Sequence, residues 1–151
     1  IEGGGGNDTA YGGSGADRII GGSGGDDLYG DAGNDTILGD NGFDTITGGR
    51  GNDNLTGGGQ NDVFSAGTTD FGQDAVQDFL NGGDKLDFSA FGITFADIAV
   101  EGASNVRVGI DLNHDGVIDS LDLDGDATFE VSWFLLRFIN ASDVDASDFI
   151  F

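Results

Sequence analysis

The first half of the chain places an apolar residue at every ninth position, with glycine and polar residues between. From Gly3 to Ser65 the sequence divides without insertion into the blocks GGGGNDTAY, GGSGADRII, GGSGGDDLY, GDAGNDTIL, GDNGFDTIT, GGRGNDNLT and GGGQNDVFS. The eighth residue of every block is apolar, and these residues are Ala10, Ile19, Leu28, Ile37, Ile46, Leu55 and Phe64. A fixed period of this kind indicates a repeat architecture, in which each unit buries its apolar residue by stacking on its neighbours. Ile1 and Glu2 fit the end of a further block, so we expect the array to begin upstream.

The pattern changes after Ser65, where glycine becomes rarer and phenylalanine more frequent. The segments from Asp74 to Phe79 and from Lys85 to Phe88 alternate between polar and apolar residues, as short strands do. Between them, Asn81-Gly82-Gly83-Asp84 is typical of a turn. The sequence therefore predicts an all-β chain with two parts, a repeat array over residues 1–65 and a β-rich C-terminal cap over residues 66–151.

Glycine and aspartate hold fixed positions in the blocks. Glycine always stands first, at Gly3, Gly12, Gly21, Gly30, Gly39, Gly48 and Gly57. Aspartate always stands sixth, at Asp8, Asp17, Asp26, Asp35, Asp44, Asp53 and Asp62. The blocks resemble the nonapeptide G-G-x-G-x-D-x-U-x, with U apolar, of the repeats-in-toxin (RTX) family. This resemblance implies a parallel β-roll, a calcium-stabilised β-helix in which each nonapeptide forms a turn and a short strand and two nonapeptides complete one coil.

The implied stacking separates the aspartates into two columns, in which each aspartate lies two blocks from the next. One column holds Asp8, Asp26, Asp44 and Asp62, and the other holds Asp17, Asp35 and Asp53. Neighbouring carboxylates would lie one strand spacing apart, about 4.8 Å, and would repel by about 3–4 kcal/mol at an effective dielectric of about 20. Each coil buries only two small apolar side chains, so we expect no stable roll without a cation.

Calcium fits this arrangement because it takes about six to eight oxygen ligands, from carboxylates and backbone carbonyls, and glycine turns leave carbonyls accessible. The predicted ligands are the seven column aspartates together with Gly3, Gly12, Gly21, Gly30, Gly39 and Gly48. Pairs of neighbours within a column define about five sites in the roll. Magnesium fits poorly, because it requires octahedral geometry and retains its water.

Three residues depart from the glycine pattern of the turns. Asp31 and Asp40 replace the second glycine of their blocks, and Gln60 replaces the fourth-position glycine of the last block. A turn that requires positive φ at Gln60 would be strained. We therefore expect either an altered last site or the end of the regular roll at this block.

Composition restricts the partners and the chemistry. The chain has 28 acidic and 5 basic residues and a formal net charge of −23, which disfavours nucleic acid and anionic membranes as partners and favours cations. It has no cysteine, one histidine (His114) and no apolar run of membrane-spanning length, so thiolate sites, Ser-His-Asp catalysis and histidine-rich zinc sites are excluded. We expect a monomeric, non-catalytic module.

A second candidate calcium site lies in the segment DLNHDGVIDSLD of the cap. It has the ligand spacing of an EF-hand-type loop, and the predicted ligands are Asp111, Asn113, Asp115, Asp119 and Asp122. Two features depart from that loop: aspartate stands last where a bidentate glutamate is usual, and the preceding Val106 to Ile110 favours a strand over an entering helix. A polar β-hairpin loop is the alternative. Asp74 and Asp78 are candidates for a last calcium site, and a solvated strand face is the alternative for them. We expect about one or two calcium sites at most in the cap.

The cap also resembles the segments that follow RTX arrays in secreted proteases, lipases and alginate epimerases. The similar segments are DAVQDF from Asp74, GDKLDFS from Gly83 and ASDFIF from Ala146. In the last of these, an acidic residue followed by three apolar residues is similar to the C-terminal motif of proteins exported by type I secretion. The resemblance implies a secreted bacterial module that folds on extracellular calcium, contacts the type I secretion machinery and supports the folding of an upstream exoprotein.

The alternative function is binding of an acidic polysaccharide, because the R-modules of alginate epimerases carry RTX-type repeats and assist substrate binding. The cationic residues that could contact a polyuronate are Arg18, Arg50, Lys85, Arg107 and Arg137. Against 28 acidic residues, direct affinity would be weak unless calcium bridges the two anions.

Overall fold

The computed structural model describes residues 1–67, 71–80, 83–92, 98–101, 106–110, 133–136 and 144–151, with the backbone alone for 98–101, 106–110 and 133–136. Apart from two short 3₁₀ helices, Ser89–Phe91 and Ala146–Asp148, the regular structure of these ranges is β-strand. In chain order the strands are β1 (Glu2–Gly5), β2 (Thr9–Ser14), β3 (Arg18–Ser23), β4 (Asp27–Ala32), β5 (Thr36–Asn41), β6 (Thr45–Thr47), β7 (Asn54–Gly59), β8 (Val63–Ser65), β9 (Gln73–Val76), β10 (Lys85–Asp87), β11 (Ile98–Glu101), β12 (Val106–Ile110), β13 (Trp133–Leu136) and β14 (Phe149–Ile150).

Successive strands alternate between two sheets over the repeat array. One sheet has the order β1-β3-β5-β7-β9-β13-β12-β11 and the other has the order β14-β10-β8-β6-β4-β2. All neighbours are parallel except β12, which runs antiparallel to β11 and β13. The chain therefore winds as a parallel β-roll, and the predicted fold class is confirmed.

Each regular coil contains two nonapeptide blocks. Ile19 of β3 pairs with Ile37 of β5, and Leu28 of β4 pairs with Ile46 of β6. Successive residues of a strand face opposite sides, so the eighth residue of a block points inward while the seventh and ninth point outward. The seven predicted inward residues are all buried, from Ala10 with 8% of its surface exposed to Phe64 with 0%. The nine-residue period thus predicted the core of the array correctly.

The coils lengthen after Ser65. Asn54 of β7 pairs with Ala75 of β9, and Val63 of β8 pairs with Lys85 of β10, so both pairings span more than two blocks of sequence. The parallel ladder therefore continues into the cap with longer turns. The boundary between residues 65 and 66 separates the regular coils from the longer ones, and as a domain boundary it stays a prediction.

Phenylalanines fill the core at the C-terminal end of the roll. Phe64 packs near Phe79 with ring centroids 6.4 Å apart, and Phe88 contacts Phe71 and Phe149 at centroid distances of 6.0 and 6.3 Å. Phe149 belongs to β14, which pairs in parallel with β10 through Leu86. The end of the chain is thereby packed onto the last coils of the roll.

Candidate metal centre

The sixth-position aspartates stack in two columns along the roll. In each column, the Oδ1 atom of an aspartate accepts the backbone N–H of the aspartate one coil earlier, at 2.7–2.9 Å. One column joins Asp8, Asp26, Asp44 and Asp62, and the other joins Asp17, Asp35 and Asp53. In every column aspartate except Asp8 and Asp17, which begin the columns, Oδ1 is therefore held by a backbone N–H. The other carboxylate oxygen, Oδ2, is left for a different partner.

That other oxygen is buried in most column members. Among the residues that the structure describes, the buried Oδ2 atoms without a hydrogen-bond partner include those of Asp8, Asp17, Asp26, Asp35, Asp44 and Asp53. A buried acceptor left unpaired costs about 1–3 kcal/mol, and more when it is charged. Six such atoms would cost as much as the whole stability of a typical domain, about 5–15 kcal/mol. The carboxylates therefore need a positive partner from outside the chain.

The first-position glycines leave room beside these oxygens. A Cβ atom on Gly3 would lie 2.8 Å from Oδ2 of Asp8 and 2.6 Å from the carbonyl oxygen of Gly21, which belongs to the next coil. The same convergence of a carboxylate and a carbonyl oxygen recurs at Gly12, Gly21, Gly30 and Gly39. Any side chain at these positions would fill the space between the two oxygens. A Cβ atom on Gly48 would also lie beside the carboxylate of Asp53, but its three nearest atoms all belong to Asp53 and include no carbonyl oxygen.

The turns depend on positive φ at their second and fourth residues. Three of these residues are not glycine: Asp31 (φ 69°), Asp40 (φ 74°) and Gln60 (φ 81°). Aspartate enters the left-handed region more readily than glutamine, because its short side chain can hydrogen-bond locally. The positive φ expected at Gln60 is present, and the regular spacing of two blocks per coil ends in the coil that follows.

Burial raises the pKa of four column carboxylates, those of Asp35, Asp44, Asp53 and Asp62. Desolvation is the largest cause, and it raises the pKa of Asp53 to about 6 and that of Asp62 to about 7. Repulsion by neighbouring carboxylates acts in the same direction, from Asp35 on Asp53 and from Asp84 and Asp44 on Asp62. The backbone N–H donors lower the pKa but do not compensate. In the absence of a cation, Asp53 and Asp62 thus hold a proton more readily than an exposed aspartate does.

Two further aspartates extend the columns: Asp74, one of the candidates for a last calcium site, and Asp84, which lies outside the predicted ligand set. Oδ1 of Asp74 accepts the N–H of Asp53, and Oδ1 of Asp84 accepts the N–H of Asp62, both at 3.0 Å. Both side chains are buried. Asp74 stands two residues before the buried Val76 of β9, and Asp84 stands two residues before the buried Leu86 of β10, the same spacing as in the nonapeptides. That spacing is the sequence signal that would have identified Asp84.

The predicted cap loop cannot be placed in this arrangement. Its candidate ligands lie outside the described residues: Asp111, Asn113, Asp115, Asp119 and Asp122. Within the described ranges, no point gathers three or more acidic, histidine or cysteine side chains. A cation in the columns would therefore take many of its ligands from backbone carbonyls, and an all-oxygen donor set of carboxylates and carbonyls suits calcium.

Comparison with known proteins agrees with this chemistry. The family model of the RTX calcium-binding nonapeptide repeat matches residues 2–37 and 38–68, in four copies. No curated protein gives a significant match. The solution structure of the AlgE6R2 subunit of the Azotobacter vinelandii mannuronan C5-epimerase has a similar fold, with 24% identity, a TM-score of 0.58, and coverage of 89% of this chain and 92% of that one.

The AlgE6R3 subunit of the same enzyme is 28% identical over 97% of this chain and 78% of that one, but its TM-score of 0.43 is too low to support a structural conclusion. Within the described residues, no helix is long and apolar enough to span a membrane. The matched repeats cover the whole regular roll, whose columns and glycine turns have the donors that calcium requires. Residues 2–68 are therefore an array of RTX calcium-binding nonapeptide repeats, and the roll that they form is a non-catalytic calcium-binding module.

Proposed function

We propose that the chain folds on extracellular calcium and thereby supports the type I export and the stability of an upstream bacterial exoprotein. The observation that carries this proposal is the set of buried, unpaired Oδ2 atoms in the two columns. These atoms make the folded roll costly in the absence of a cation. Calcium, when bound, supplies the positive charge that offsets this cost.

The proposed ligands are the column aspartates and the first-position glycines. One ion would lie between each pair of neighbours in a column, held by the free carboxylate oxygen of one coil and by the glycine carbonyl of the next. The five convergent pairs at Gly3, Gly12, Gly21, Gly30 and Gly39 support about five sites in the roll. The segment from Asp111 to Asp122 is a further proposed site in the cap.

Binding and folding are coupled in this scheme because each site takes ligands from two coils. A site of this kind does not exist in the unfolded chain, so its binding free energy contributes to the folding free energy. Extracellular calcium modules bind with dissociation constants of about 10⁻⁴–10⁻³ M. The chain would therefore stay unfolded in a calcium-poor cytosol and fold after export.

The C-terminal strand links the export motif to the same switch. Phe149 is buried against Phe88, and β14 lies at the edge of its sheet, paired with β10, which itself rests on β8 of the roll. Ile150 and Phe151 remain partly exposed, at 37% and 43%. When the roll is unfolded, Phe149 loses the surface that covers it. The export machinery would thus contact the whole motif before calcium folds the chain.

Far-UV circular dichroism during a calcium titration of the chelated chain tests the folding role. We expect a cooperative change from an unordered spectrum to a β spectrum, and no such change with magnesium at the same concentrations. A chain that is already β-structured in chelator and does not respond to calcium contradicts the proposal.

Secretion of a fused cargo through a type I system tests the export role separately. Replacing Phe149, Ile150 and Phe151 with serine should abolish secretion. Replacing the exposed Phe43 and Leu80 with serine provides a control of similar apolar loss outside the motif. Unchanged secretion of the C-terminal variant refutes the export role and leaves the calcium-dependent folding role intact.

The second candidate function is calcium-bridged binding of an acidic polysaccharide such as alginate. It is supported by the similar fold of a subunit of a mannuronan C5-epimerase, an enzyme named for a polysaccharide substrate. The net charge of −23 opposes direct contact with a polyuronate. Calorimetry with alginate oligomers should show heat in calcium and none in chelator if this function is present.

A further inference from the structure

The outer face of the six-stranded sheet carries a pair of stacked tyrosines. Tyr11, Tyr29, Thr47 and Ser65 are the ninth residues of their blocks and pair in register across β2, β4, β6 and β8. The rings of Tyr11 and Tyr29 are nearly parallel, with an interplanar angle of 9° and centroids 4.9 Å apart. Because the rings stack along the row, Tyr11 covers one face of the Tyr29 ring, and the other face is directed toward Thr47.

An open groove begins at that free face. The row changes from tyrosine to Thr47 and then to Ser65, and the shorter side chains leave a volume of about 350 Å³. Besides these residues, the lining includes Asp31 and Thr45. The volume falls within the range of small-ligand pockets, about 300–1,000 Å³, and the groove crosses three strands, or about 10 Å.

The lining has the chemistry of a sugar site. The Tyr29 ring offers an apolar face, the threonine and serine hydroxyl groups can donate or accept hydrogen bonds, and the Asp31 carboxylate can accept them. None of the residues that line the groove is lysine, arginine or histidine. An anionic ligand in the groove would therefore meet the Asp31 carboxylate and no cationic lining residue, on a chain of net charge −23.

We propose that this groove binds a neutral oligosaccharide, with one pyranose ring stacked on Tyr29 and its hydroxyls bonded to Asp31, Thr47 and Ser65. Tyr29, Thr47 and Ser65 lie on the outer face of the sheet, away from the calcium columns, whereas Asp31 directly follows Gly30 of one column. The site differs in ligand class from the acidic polysaccharide considered above.

Calorimetry on the calcium-loaded protein tests this site with cellohexaose, laminarihexaose and mannohexaose, and with an alginate hexamer and spermidine as anionic and cationic comparisons. Tyr29→Ala should weaken binding of the preferred neutral hexamer by about tenfold or more, whereas Tyr29→Phe, which keeps the ring, should change it by less than about twofold. Phe43→Ala is the matched control, because Phe43 is 65% exposed and lies outside the groove.

Thr47→Tyr provides a second variant that does not remove a packed ring. It adds a third tyrosine to the row and fills the groove, so it should abolish binding while the calcium-induced β spectrum is retained. The proposal is overturned if no neutral hexamer binds at about 10 mM, a concentration that detects even weak single-ring stacking. It is also overturned if only alginate or spermidine binds, or if Thr47→Tyr binds as well as the unmodified chain.

Discussion

Replacing Asp44 separates the structural and the metal-binding roles of a column aspartate. Its Oδ1 atom accepts the N–H of Asp26 at 2.8 Å, its own N–H donates to Asp62 at 2.9 Å, and its Oδ2 atom is buried beside Gly39 without a hydrogen-bond partner. Asp44→Asn keeps an oxygen for the N–H of Asp26 but replaces the charged oxygen with an amide. Asp44→Ala removes both.

The expected loss follows from the two sites that Asp44 contacts. At about 10 mM calcium, or about 100 times a dissociation constant of 10⁻⁴ M, each site contributes about 2.7 kcal/mol to the free energy of unfolding. Weakening the sites on both sides of Asp44 should therefore make Asp44→Asn about 3–5 kcal/mol less stable in calcium. Asp44→Ala should lose about 1–3 kcal/mol more, because the buried N–H of Asp26 then has no acceptor.

In chelator, Asp44→Asn should be at least as structured as the unmodified chain. At a strand spacing of about 4.8 Å, each carboxylate neighbour in the column repels Asp44 by about 3–4 kcal/mol. Asp44→Asn removes this repulsion, so residual β structure in chelator should increase or stay unchanged.

Urea unfolding followed by circular dichroism, in about 10 mM calcium and in chelator, measures both effects. Asp27→Asn is the matched control, because it removes one negative charge from an exposed position on β4, outside the columns. If Asp44→Asn and Asp27→Asn unfold at the same urea concentration in calcium, the columns do not bind the metal and the reasoning is refuted.

Three further predictions follow from the turns and the columns. Gly39→Ala should raise the calcium concentration at the midpoint of folding, because the methyl group enters the space beside Oδ2 of Asp44. Gly5→Ala is the control and should leave the midpoint unchanged, because a Cβ atom there meets nothing within 4 Å. Gln60→Gly should raise Tm by about 1–4 °C in calcium, because it relieves about 1 kcal/mol of left-handed strain; an unchanged or lower Tm refutes this strain. The pKa values of Asp53 and Asp62 in the metal-free fold, about 6 and about 7, lie above the usual 3.8. The metal-free fold therefore binds protons more tightly than the unfolded chain does. It loses stability as the pH rises through 6 and 7. In chelator the β spectrum should therefore strengthen from about pH 8 to about pH 5, whereas the calcium midpoint should rise over the same range because protons compete for the ligands; a chelated chain insensitive to pH contradicts this.

The sequence predicted the regular part of the fold well, because each nonapeptide repeats the same local requirements. The buried apolar residue at the eighth position follows from the period, and the stacking of the sixth-position aspartates follows from the resemblance to the RTX roll. The strand from Val106 to Ile110 was also predicted correctly, as β12. What the period could not predict is how the roll ends.

Two features of that end depend on long-range packing. The columns continue through Asp74 and Asp84, but the longer coils interrupt the nine-residue period that identifies the earlier aspartates. Only the local spacing from each aspartate to the buried residue two positions later is kept. The pairing of β13 with β9 joins strands that lie far apart in the chain, and β11–β12–β13 changes from parallel to antiparallel order. Pairings of such sequence separation leave no local signal in a single sequence.

The alternation of successive strands between two sheets makes the position of the cap around the roll depend on the number of nonapeptides. Duplication of two consecutive nonapeptides adds one full coil and leaves every later strand on its original sheet. Duplication of one nonapeptide before β7 moves all later strands together to the opposite sheet, so β9 still pairs with β7 and β10 still pairs with β8. An odd number of added nonapeptides would therefore turn the cap by half a coil relative to β1, whereas an even number would leave its position around the roll unchanged.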